Sequence, residues 1–258
     1  MLRIEGARRV FHAGTPDARA ALDGVSLELA AGSFGVVIGS NGAGKSTLLN
    51  AIAGSLRLDQ GSIRIDGADV TAQAEHRRAA LVSRVLQDPM QGTLPSLTVE
   101  ENLVLAELRS TGRSFARAVT AARRRRYAEL LAHFGLGLET RLGARAGLLS
   151  GGQRQVLSLA MATMGTPRVL LLDEHAAALD PKTAEVVMQA TLAAVSQLRL
   201  TTLMVTHNMQ HAIDYGDRLL MMDAGRVRLD VAGEEKARLT VETLVARFRL
   251  ADDKMLLA

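Results

Sequence analysis

The stretch FGVVIGSNGAGKSTLLNAIAG, residues 34–54, decides how this chain folds. It begins with an apolar run, Phe34 to Ile38, which is typical of a central strand in a parallel sheet. Residues 45–53 have the composition of a helix, and Gly54 follows as its stop signal. The residues between them match G-x-x-x-x-G-K-[S/T], in which glycines let successive backbone N–H groups point toward one anion. The stretch therefore predicts a strand, a phosphate-binding loop and a helix in succession.

This loop is the first candidate site. The ammonium of Lys45 would reach the β- and γ-phosphates of a nucleotide, and the hydroxyl of Ser46 would bind Mg²⁺. The alternative is a glycine-rich turn with an accidental lysine, but the full motif in its strand-to-helix context favours the phosphate loop. The candidate nucleotide-binding residues of the loop are Gly39, Ser40, Asn41, Gly42, Ala43, Gly44, Lys45, Ser46 and Thr47.

A second candidate site follows the apolar run Val169 to Leu172, which predicts a buried strand. Asp173 stands at its C-terminal end, the edge at which open α/β sheets bind ligands, and could hold Mg²⁺. Glu174 could then face an attacking water as general base. Acidic residues also end many ordinary strands, so this pair gains its meaning from the phosphate loop.

The rest of the chain alternates strand and helix patterns around a predominantly helical middle. Strands are predicted at 25–29, 62–66, 81–86, 169–173 and 202–206, with a closing hairpin at 219–229. Residues 98–163 are rich in helix formers and interrupted at Gly112, Gly135 and Gly147, which indicates a helical insertion. A helix after residue 180 would bury the stripe Val187, Ala190, Ala194 and Leu198. The class is therefore α/β.

The composition excludes several classes of protein. The 258 residues are 48% apolar and carry a net charge of +4, which excludes disordered and fibrous proteins. The chain has no cysteine, so disulfide scaffolds, thiolate metal sites and cysteine nucleophiles are excluded. Neither a signal peptide nor an apolar run near the length of a membrane span is present, so we expect membrane association only through a partner.

Between the two candidate sites lies Leu149-Ser150-Gly151-Gly152-Gln153, and here the sequence resembles an ATP-binding cassette (ABC) ATPase. The family's other motifs follow in order, with Gln87 before this signature, Asp180 after the acidic strand and His207 after the next strand. The resemblance covers essentially the whole chain. It implies a P-loop NTPase (RecA-like) core with an antiparallel β subdomain and a helical insertion, and it implies ATP and Mg²⁺ as ligands.

The domain limits expected from this resemblance divide one ABC domain, residues 1–258. Residues 1–87 and 165–232 would form the core with the antiparallel β part. Residues 88–164 would form the helical subdomain with the signature, and 233–258 a C-terminal tail.

In this family, two subunits pack head to tail, so that the signature of one clamps the nucleotide held by the loop of the other. The signature residues Ser150, Gly151, Gly152 and Gln153 would open a helix whose N–H groups hold an anion. One chain has one copy of each motif, so a homodimer or a pair with a similar subunit is expected, with an isologous interface. Standing alone, Ser150 would be read as a helix cap. Asp180 would cross the interface, or simply cap the helix begun at Pro181.

The remaining site residues are also assigned by the resemblance. Gln87 would sense Mg²⁺ and water and lead into the surface that receives a membrane subunit, and His207 would contact the γ-phosphate. Alone, each would be an ordinary polar residue at a strand end. Phe11 would stack on adenine, although a core position or stacking by His12 stays open. The sequence departs from most relatives at His175, in a segment that usually reads Pro-Thr-Ser-Ala.

The resemblance implies the ATPase subunit of a bacterial importer for tryptophan, tyrosine or another small solute. The expected partners are integral membrane permease subunits and a separate solute-binding protein, with the chain peripheral at the cytoplasmic face of the inner membrane. An exporter ATPase, or a soluble ABC ATPase acting on nucleic acid or ribosomes, is the alternative. The basic run Arg123 to Arg126 lacks interleaved aromatics, so no nucleic-acid partner is expected.

Overall fold

The computed structural model describes residues 1–111 and 119–247. Its strands are β1 (Leu2–Phe11), β2 (Arg19–Leu29), β3 (Phe34–Gly39), β4 (Gln60–Ile65), β5 (Ala68–Asp69), β6 (Val82–Val85), β7 (Val169–Asp173), β8 (Thr201–Val205), β9 (Arg218–Asp223) and β10 (Arg226–Ala232). Its helices are α1 (Lys45–Ala53), α2 (Glu75–Arg78), α3 (Pro89–Gly92), α4 (Val99–Thr111), α5 (Ala121–Ala132), α6 (Gly151–Thr163), α7 (Pro181–Leu198), α8 (Met209–Asp214) and α9 (Gly233–Ala237). The chain forms two compact units.

The first unit comprises Met1–Glu75 and the chain from Thr201 onward. One part is an antiparallel sheet in the order β2-β1-β4-β5. In the other part, β3 runs parallel to both β8 and β9, and β10 closes an antiparallel hairpin with β9. The apolar side chains of β3 are buried along its whole length, which explains why this strand reads as a continuous apolar run rather than an alternating one. α1 begins directly after the loop that β3 enters.

The second unit, His76–Leu200, is mainly helical and contains the parallel pair β6 and β7. Its central helix is α6, which contacts β6 and the helices α3, α4, α5 and α7. Most of its side chains are buried, including Val156, Leu157 and Leu159. A helix that contacts neighbours on several sides cannot keep a wide polar face, and this accounts for the apolar composition of residues 156–163.

Most elements predicted from the sequence are found close to the expected positions. The buried stripe on α7 is shorter than expected, because Val187, Ala190 and Ala194 are buried whereas Leu198, in the last turn, is 39% exposed. The expected interruption at Gly112 lies outside the described residues. In the tail, α9 and residues 241–247 are helical, and residues 248–258 also lie outside the described part. Among residues 1–111 and 119–247, no helix combines the length and apolarity needed to cross a bilayer.

Candidate functional site

The predicted phosphate loop connects β3 to α1 in the first unit. Gly42 and Gly44 have φ of 80° and 103°, which is the left-handed region that glycine tolerates. A Cβ at Gly44 would also collide with the backbone carbonyl of Ala21, so position 44 needs glycine for two independent reasons. The loop can therefore turn sharply and present its backbone inward.

Lys45 is the first residue of α1, and its side chain curls back into the loop. It is only 6% exposed, and its Nζ donates to the carbonyl oxygens of Gly39 at 2.8 Å and Ser40 at 2.9 Å. Both acceptors are carbonyl oxygens of the loop itself, and neither carries a formal charge. The ammonium is therefore held where an anion entering the loop would meet it.

The start of α1 has the features of an anion site. Its N-cap is Gly44, which supplies no side-chain hydrogen bond to the first-turn amides. The hydroxyl-bearing Ser40 and Ser46 and the amide of Asn41 are exposed, whereas Ala43 is buried. Backbone N–H groups, a helix N-terminus and Lys45 thus converge on one loop, as in phosphate-binding sites.

Phe11 lies near this loop through a cross-strand pair. Its register partner on β2 is Arg19, whose Nη2 donates to the carbonyl oxygen of Gly42 at 2.8 Å. The guanidinium of Arg9 lies over the Phe11 ring, 5.2 Å from its centroid. Phe11 is half-buried and His12 is exposed at the end of the strand. Arg19 is a contact of the loop that no motif in the sequence indicates.

His207 reaches the same sheet edge as the loop within the first unit. β8 runs parallel to β3 with Val205 opposite Val37, and the N–H of Thr206 donates to the carbonyl oxygen of Val37 at 3.1 Å. The two strands therefore end side by side, one continuing into the phosphate loop and the other into His207. His207 itself is exposed.

In the second unit, Asp173 ends β7 as predicted. Its Oδ2 accepts a hydrogen bond from Nη2 of Arg84, on the neighbouring β6, at 2.5 Å. The Asp173 side chain is 15% exposed, so this ion pair is largely shielded from solvent. No motif or spacing in the sequence indicates Arg84 as part of the site.

Glu174 and His175 form a strained turn directly after β7. Glu174 has φ of 48°, a conformation that a side chain with a Cβ rarely adopts. His175 is 2% exposed, and its Nε2 lies 3.0 Å from Oγ1 of Thr191 on α7. Because that hydroxyl donates its own proton to the carbonyl oxygen of Val187, His175 Nε2 must be the donor of the contact. The unusual histidine thus fastens the turn after β7 to α7.

Asp180 caps α7, which agrees with the simpler of its two expected roles. Its Oδ1 accepts the N–H of Thr183 at 3.1 Å, and Pro181 stands at the first helical position. Hydrogen bonds from the side chain and backbone of Thr183 lower the pKa of the Asp180 carboxyl. The carboxylate is solvent-exposed apart from these contacts.

The signature residues open α6 with a reciprocal cap. Ser150 Oγ accepts the N–H of Gln153, and Gln153 Oε1 accepts the N–H of Ser150, each at 3.3 Å. Gln153 is further engaged by Arg141 and by the carbonyl oxygen of Leu136, so its amide has a structural task. The exposed Ser150 and Gly151 remain at the surface of the helix start.

Gly152 allows the N-termini of α6 and α7, both in the second unit, to approach each other closely. A Cβ at this position would collide with the methyl group of Thr183, in the first turn of α7. The structure therefore brings the signature at the start of α6 and Asp180 at the start of α7 together. Gln87 lies elsewhere in this unit, exposed after β6 and adjacent to Leu86, whose carbonyl oxygen accepts Nε2 of Gln155 at 3.1 Å.

The residues expected to bind Mg²⁺ have the donor chemistry that this ion requires. Ser46, Asp173 and Gln87 all offer oxygen atoms, the donor type that Mg²⁺ prefers. Within the described residues, no three His, Cys, Asp or Glu side chains cluster so as to hold a metal by themselves. Mg²⁺ commonly binds through one or two protein oxygens together with substrate phosphates, so this donor set fits the ion as a partner of a bound nucleotide.

A groove of about 220 Å³ opens on the helical side of the second unit. Its wall includes Leu94 and Leu105, which are 49% and 42% exposed, and the guanidinium-bearing Arg84. Met90, which precedes the lining residue Gln91 in the chain, is 43% exposed, and its sulfur accepts a hydrogen bond from Arg154 at 2.7 Å. Exposed apolar side chains around a concave surface are typical of sites that receive another protein segment.

Asn102 supports this groove from beneath. It is fully buried on α4, accepts the N–H of Leu94 at 2.8 Å, and donates to the carbonyl oxygens of Leu94 at 3.1 Å and Thr98 at 2.9 Å. Asn102 cannot be recognised from the sequence, because a single asparagine inside a helix pattern does not indicate such a network.

Comparisons with known proteins show the family to which the chain belongs. The family model described as "ABC transporter" matches residues 22–177. The "Tyrosine transport ATP-binding protein" of Clostridioides difficile (strain R20291) is 43% identical over 251 residues, which cover 97% of this chain and 100% of that protein. The "Lipoprotein-releasing system ATP-binding protein LolD" of Ruegeria sp. (strain TM1040) is 39% identical over 229 residues, covering 87% and 96%.

Two solved structures are similar to this chain in fold. A dimeric ATP-binding cassette in a post-hydrolysis state with ADP and Pi gives a TM-score of 0.76 at 28% identity, covering 90% of this chain and 98% of that one. A nucleotide-free cassette from an ABC transporter gives 0.77 at 27% identity, covering 95% of each. The predicted fold class, an α/β P-loop NTPase with mixed sheets, is thereby confirmed.

Proposed function

Because this chain belongs to the ABC transporter family and is one of its ATP-hydrolysing subunits, we propose that it drives the import of an amino acid across a bacterial inner membrane. The ATPase part rests on the phosphate loop with its buried Lys45. The choice of an amino acid is supported by the tyrosine-transport relative, whose whole length this chain matches. The import direction is supported by relatives such as the "Methionine import ATP-binding protein MetN" of Rhizobium etli, 36% identical over 228 residues. Tyrosine or a chemically similar amino acid is the proposed solute.

Nucleotide binding follows from the residues around the loop. The backbone of residues 39–47 and the N-terminus of α1 receive the β- and γ-phosphates, and Lys45 neutralises part of their charge. Phe11 stacks on the adenine, with the Arg9 guanidinium already over its ring. Ser46, Asp173 and Gln87 would supply oxygen ligands to Mg²⁺, which would neutralise charge on the phosphates.

Hydrolysis is assigned to the residues that follow two strands. Glu174 accepts a proton from the attacking water as general base. His207 donates a hydrogen bond to the γ-phosphate and stabilises the charge that develops there. The His175–Thr191 contact supports Glu174 in its left-handed conformation, so the carboxylate is presented in one orientation.

We assign the signature to the nucleotide of a second copy. One chain has one phosphate loop and one signature, and the start of α6 carries an exposed serine and glycine suited to an anion. Two chains packed head to tail with two-fold symmetry make two equivalent sites. Asp180, exposed beside this helix start, lies at the interface of that dimer.

The groove beside Leu94 and Leu105 is the proposed docking surface for the permease. It lies immediately after Gln87 along the chain, so a permease segment seated there contacts the loop that senses the nucleotide. Through this contact the chain is peripheral at the cytoplasmic face of the inner membrane. A separate solute-binding protein delivers the amino acid to the permease.

The test of the ATPase assignment uses Glu174→Gln, with Glu185→Gln on the exposed face of α7 as the matched control. The amide keeps the shape of the carboxylate but accepts no proton, so hydrolysis should fall about 10²- to 10⁴-fold while ATP still binds. Light scattering should then show a dimer with ATP and Mg²⁺ and a monomer with ADP. Wild-type hydrolysis in Glu174→Gln would overturn the role of Glu174.

The direction of transport needs the whole complex. Complexes isolated from membranes by a tag on this chain and reconstituted in vesicles should move labelled tyrosine in an ATP-dependent manner from the face of the solute-binding protein to the opposite face. Movement in the other sense would favour the export class, to which the lipoprotein-releasing relative points by its name.

A further inference from the structure

The ion pair between Arg84 and Asp173 joins two neighbouring parallel strands. Nη2 of Arg84 and Oδ2 of Asp173 are 2.5 Å apart, and the side chains are 22% and 15% exposed. Arg84 stands opposite Leu171 in the register, and Asp173, two residues further along β7, projects from the same face as Leu171. The backbone therefore aims both groups at each other, and the contact does not depend on a mobile loop.

This geometry matters because Asp173 is also the proposed Mg²⁺ ligand, so the inference rests on the proposed function. A charge-assisted hydrogen bond that is mostly shielded from water is stronger than a surface ion pair. A guanidinium and a divalent cation on the same carboxylate also repel each other at short range. The two cations consequently compete for Asp173.

We propose that Arg84 is a positioning residue that holds the Asp173 carboxylate at the end of β7 and is displaced from it when Mg²⁺ binds with the nucleotide. Arg84 keeps the carboxylate oriented and its charge balanced without the metal. Metal binding then exchanges one cation for the other, so the charge of the largely shielded carboxylate is compensated throughout.

The groove beside Arg84 provides space for the displaced guanidinium. Arg84 forms part of the wall of the groove of about 220 Å³ described above, alongside the polar Gln91, Asn102 and Ser158. A rotation of its long side chain into this space needs no change in β6. The exchange is therefore compatible with a rigid strand pair.

Binding of Mn²⁺, used as a spectroscopic probe for Mg²⁺, tests the proposal without hydrolysis. Electron paramagnetic resonance with a non-hydrolysable ATP analogue measures the affinity of Mn²⁺ for wild type, Arg84→Met and Arg84→Lys. Arg84→Met removes the competing charge but keeps an apolar stem, so Mn²⁺ affinity should rise by about fivefold or more. Arg84→Lys keeps a cation and should stay within about twofold of wild type.

Arg124→Met is the matched control, because Arg124 Nε pairs with Glu100 Oε2 at the same distance of 2.5 Å, and Glu100 is not a proposed metal ligand. Its Mn²⁺ affinity should equal that of wild type. Unchanged or weaker Mn²⁺ binding in Arg84→Met, or an equal rise in Arg84→Lys, would overturn the proposal. Thermal unfolding of each variant confirms that the fold is retained. If Arg84→Met is unstable, Arg84→Gln, which also removes the positive charge, takes its place with the same expected rise.

The same measurement separates this inference from the proposed function. Analogue binding without metal should be equal in wild type and Arg84→Met, and lost in Lys45→Ala. If wild type binds neither the analogue nor Mn²⁺, the proposed function fails. If wild type binds both and Arg84→Met does not differ from it, only the role of Arg84 fails.

Discussion

Replacement of Asn102 by leucine should loosen the turn that carries Leu94 into the groove. Leucine has nearly the same volume but removes the acceptor for the Leu94 N–H and the donor for the carbonyl oxygens of Leu94 and Thr98. Thr98 O keeps a partner in the N–H of residue 102 and Leu94 O keeps one in the N–H of Leu97, so the loss falls mainly on the Leu94 N–H. At about 1 kcal/mol for each lost bond, with more for a shielded group left unpaired, the local cost is about 2–4 kcal/mol.

Hydrogen exchange followed by mass spectrometry on the peptide spanning residues 93–99 measures this cost directly. A loss of about 2 kcal/mol corresponds to exchange about 30-fold faster, since about 1.4 kcal/mol is a factor of ten. Asn208→Leu is the control, because Asn208 makes one cap bond, from the His211 N–H at 3.1 Å, worth about 1 kcal/mol. Exchange at 93–99 accelerated less than about threefold would refute the view that Asn102 holds this turn.

Three further predictions concern the nucleotide chemistry. Lys45→Ala should abolish ATP binding in titration calorimetry. The control is Lys182→Ala, at an exposed lysine, which should bind ATP as wild type does. Normal ATP binding by Lys45→Ala would show that this loop is not the phosphate site. Ser150→Arg should bind ATP yet not hydrolyse it. A mixture of Ser150→Arg and Lys45→Ala proteins should regain partial ATPase activity, because each heterodimer has one intact composite site. A mixture as inactive as its two components would count against shared sites unless hydrolysis requires both sites of a dimer. His175→Ala and, more weakly, Thr191→Val should lower kcat by about tenfold at constant KM, because the turn carrying Glu174 loses its tether; an equal effect on KM would indicate a general disturbance of the fold.

The sequence could predict the elements that follow a clear period or a full motif. The apolar runs of β3 and β7 and the loop between β3 and α1 are of this kind, because burial on both faces forces a continuous run of Val, Leu and Ile. β1 was not predicted. Its alternation of Leu2 and Ile4 is broken near Gly6, where the register with β2 shifts, so the period of two fails over the middle of the strand.

Part of the candidate site lay beyond sequence reasoning for a different reason. Arg19 and Arg84 act through contacts between segments distant in sequence, and an arginine taken alone has no spacing that reveals its partner. The cap roles of Ser150 and Asp180 could be anticipated, because an N-cap is decided by residues within one helical turn. Local interactions are readable in a sequence, whereas pairings across strands need the fold.

The hydrogen bonds that Lys45 makes to its own loop have a consequence for the turnover of the enzyme. The ammonium already satisfies the carbonyl oxygens of Gly39 and Ser40, so a phosphate that enters the loop must exchange partners with it rather than simply add contacts. In such an exchange, the gain in free energy is the difference between two sets of bonds and is smaller than either set. Release of the product restores the loop's internal bonds and is eased by the same amount. An ATPase that must release its product in every catalytic cycle benefits from a phosphate site whose contacts can be exchanged at little cost in free energy.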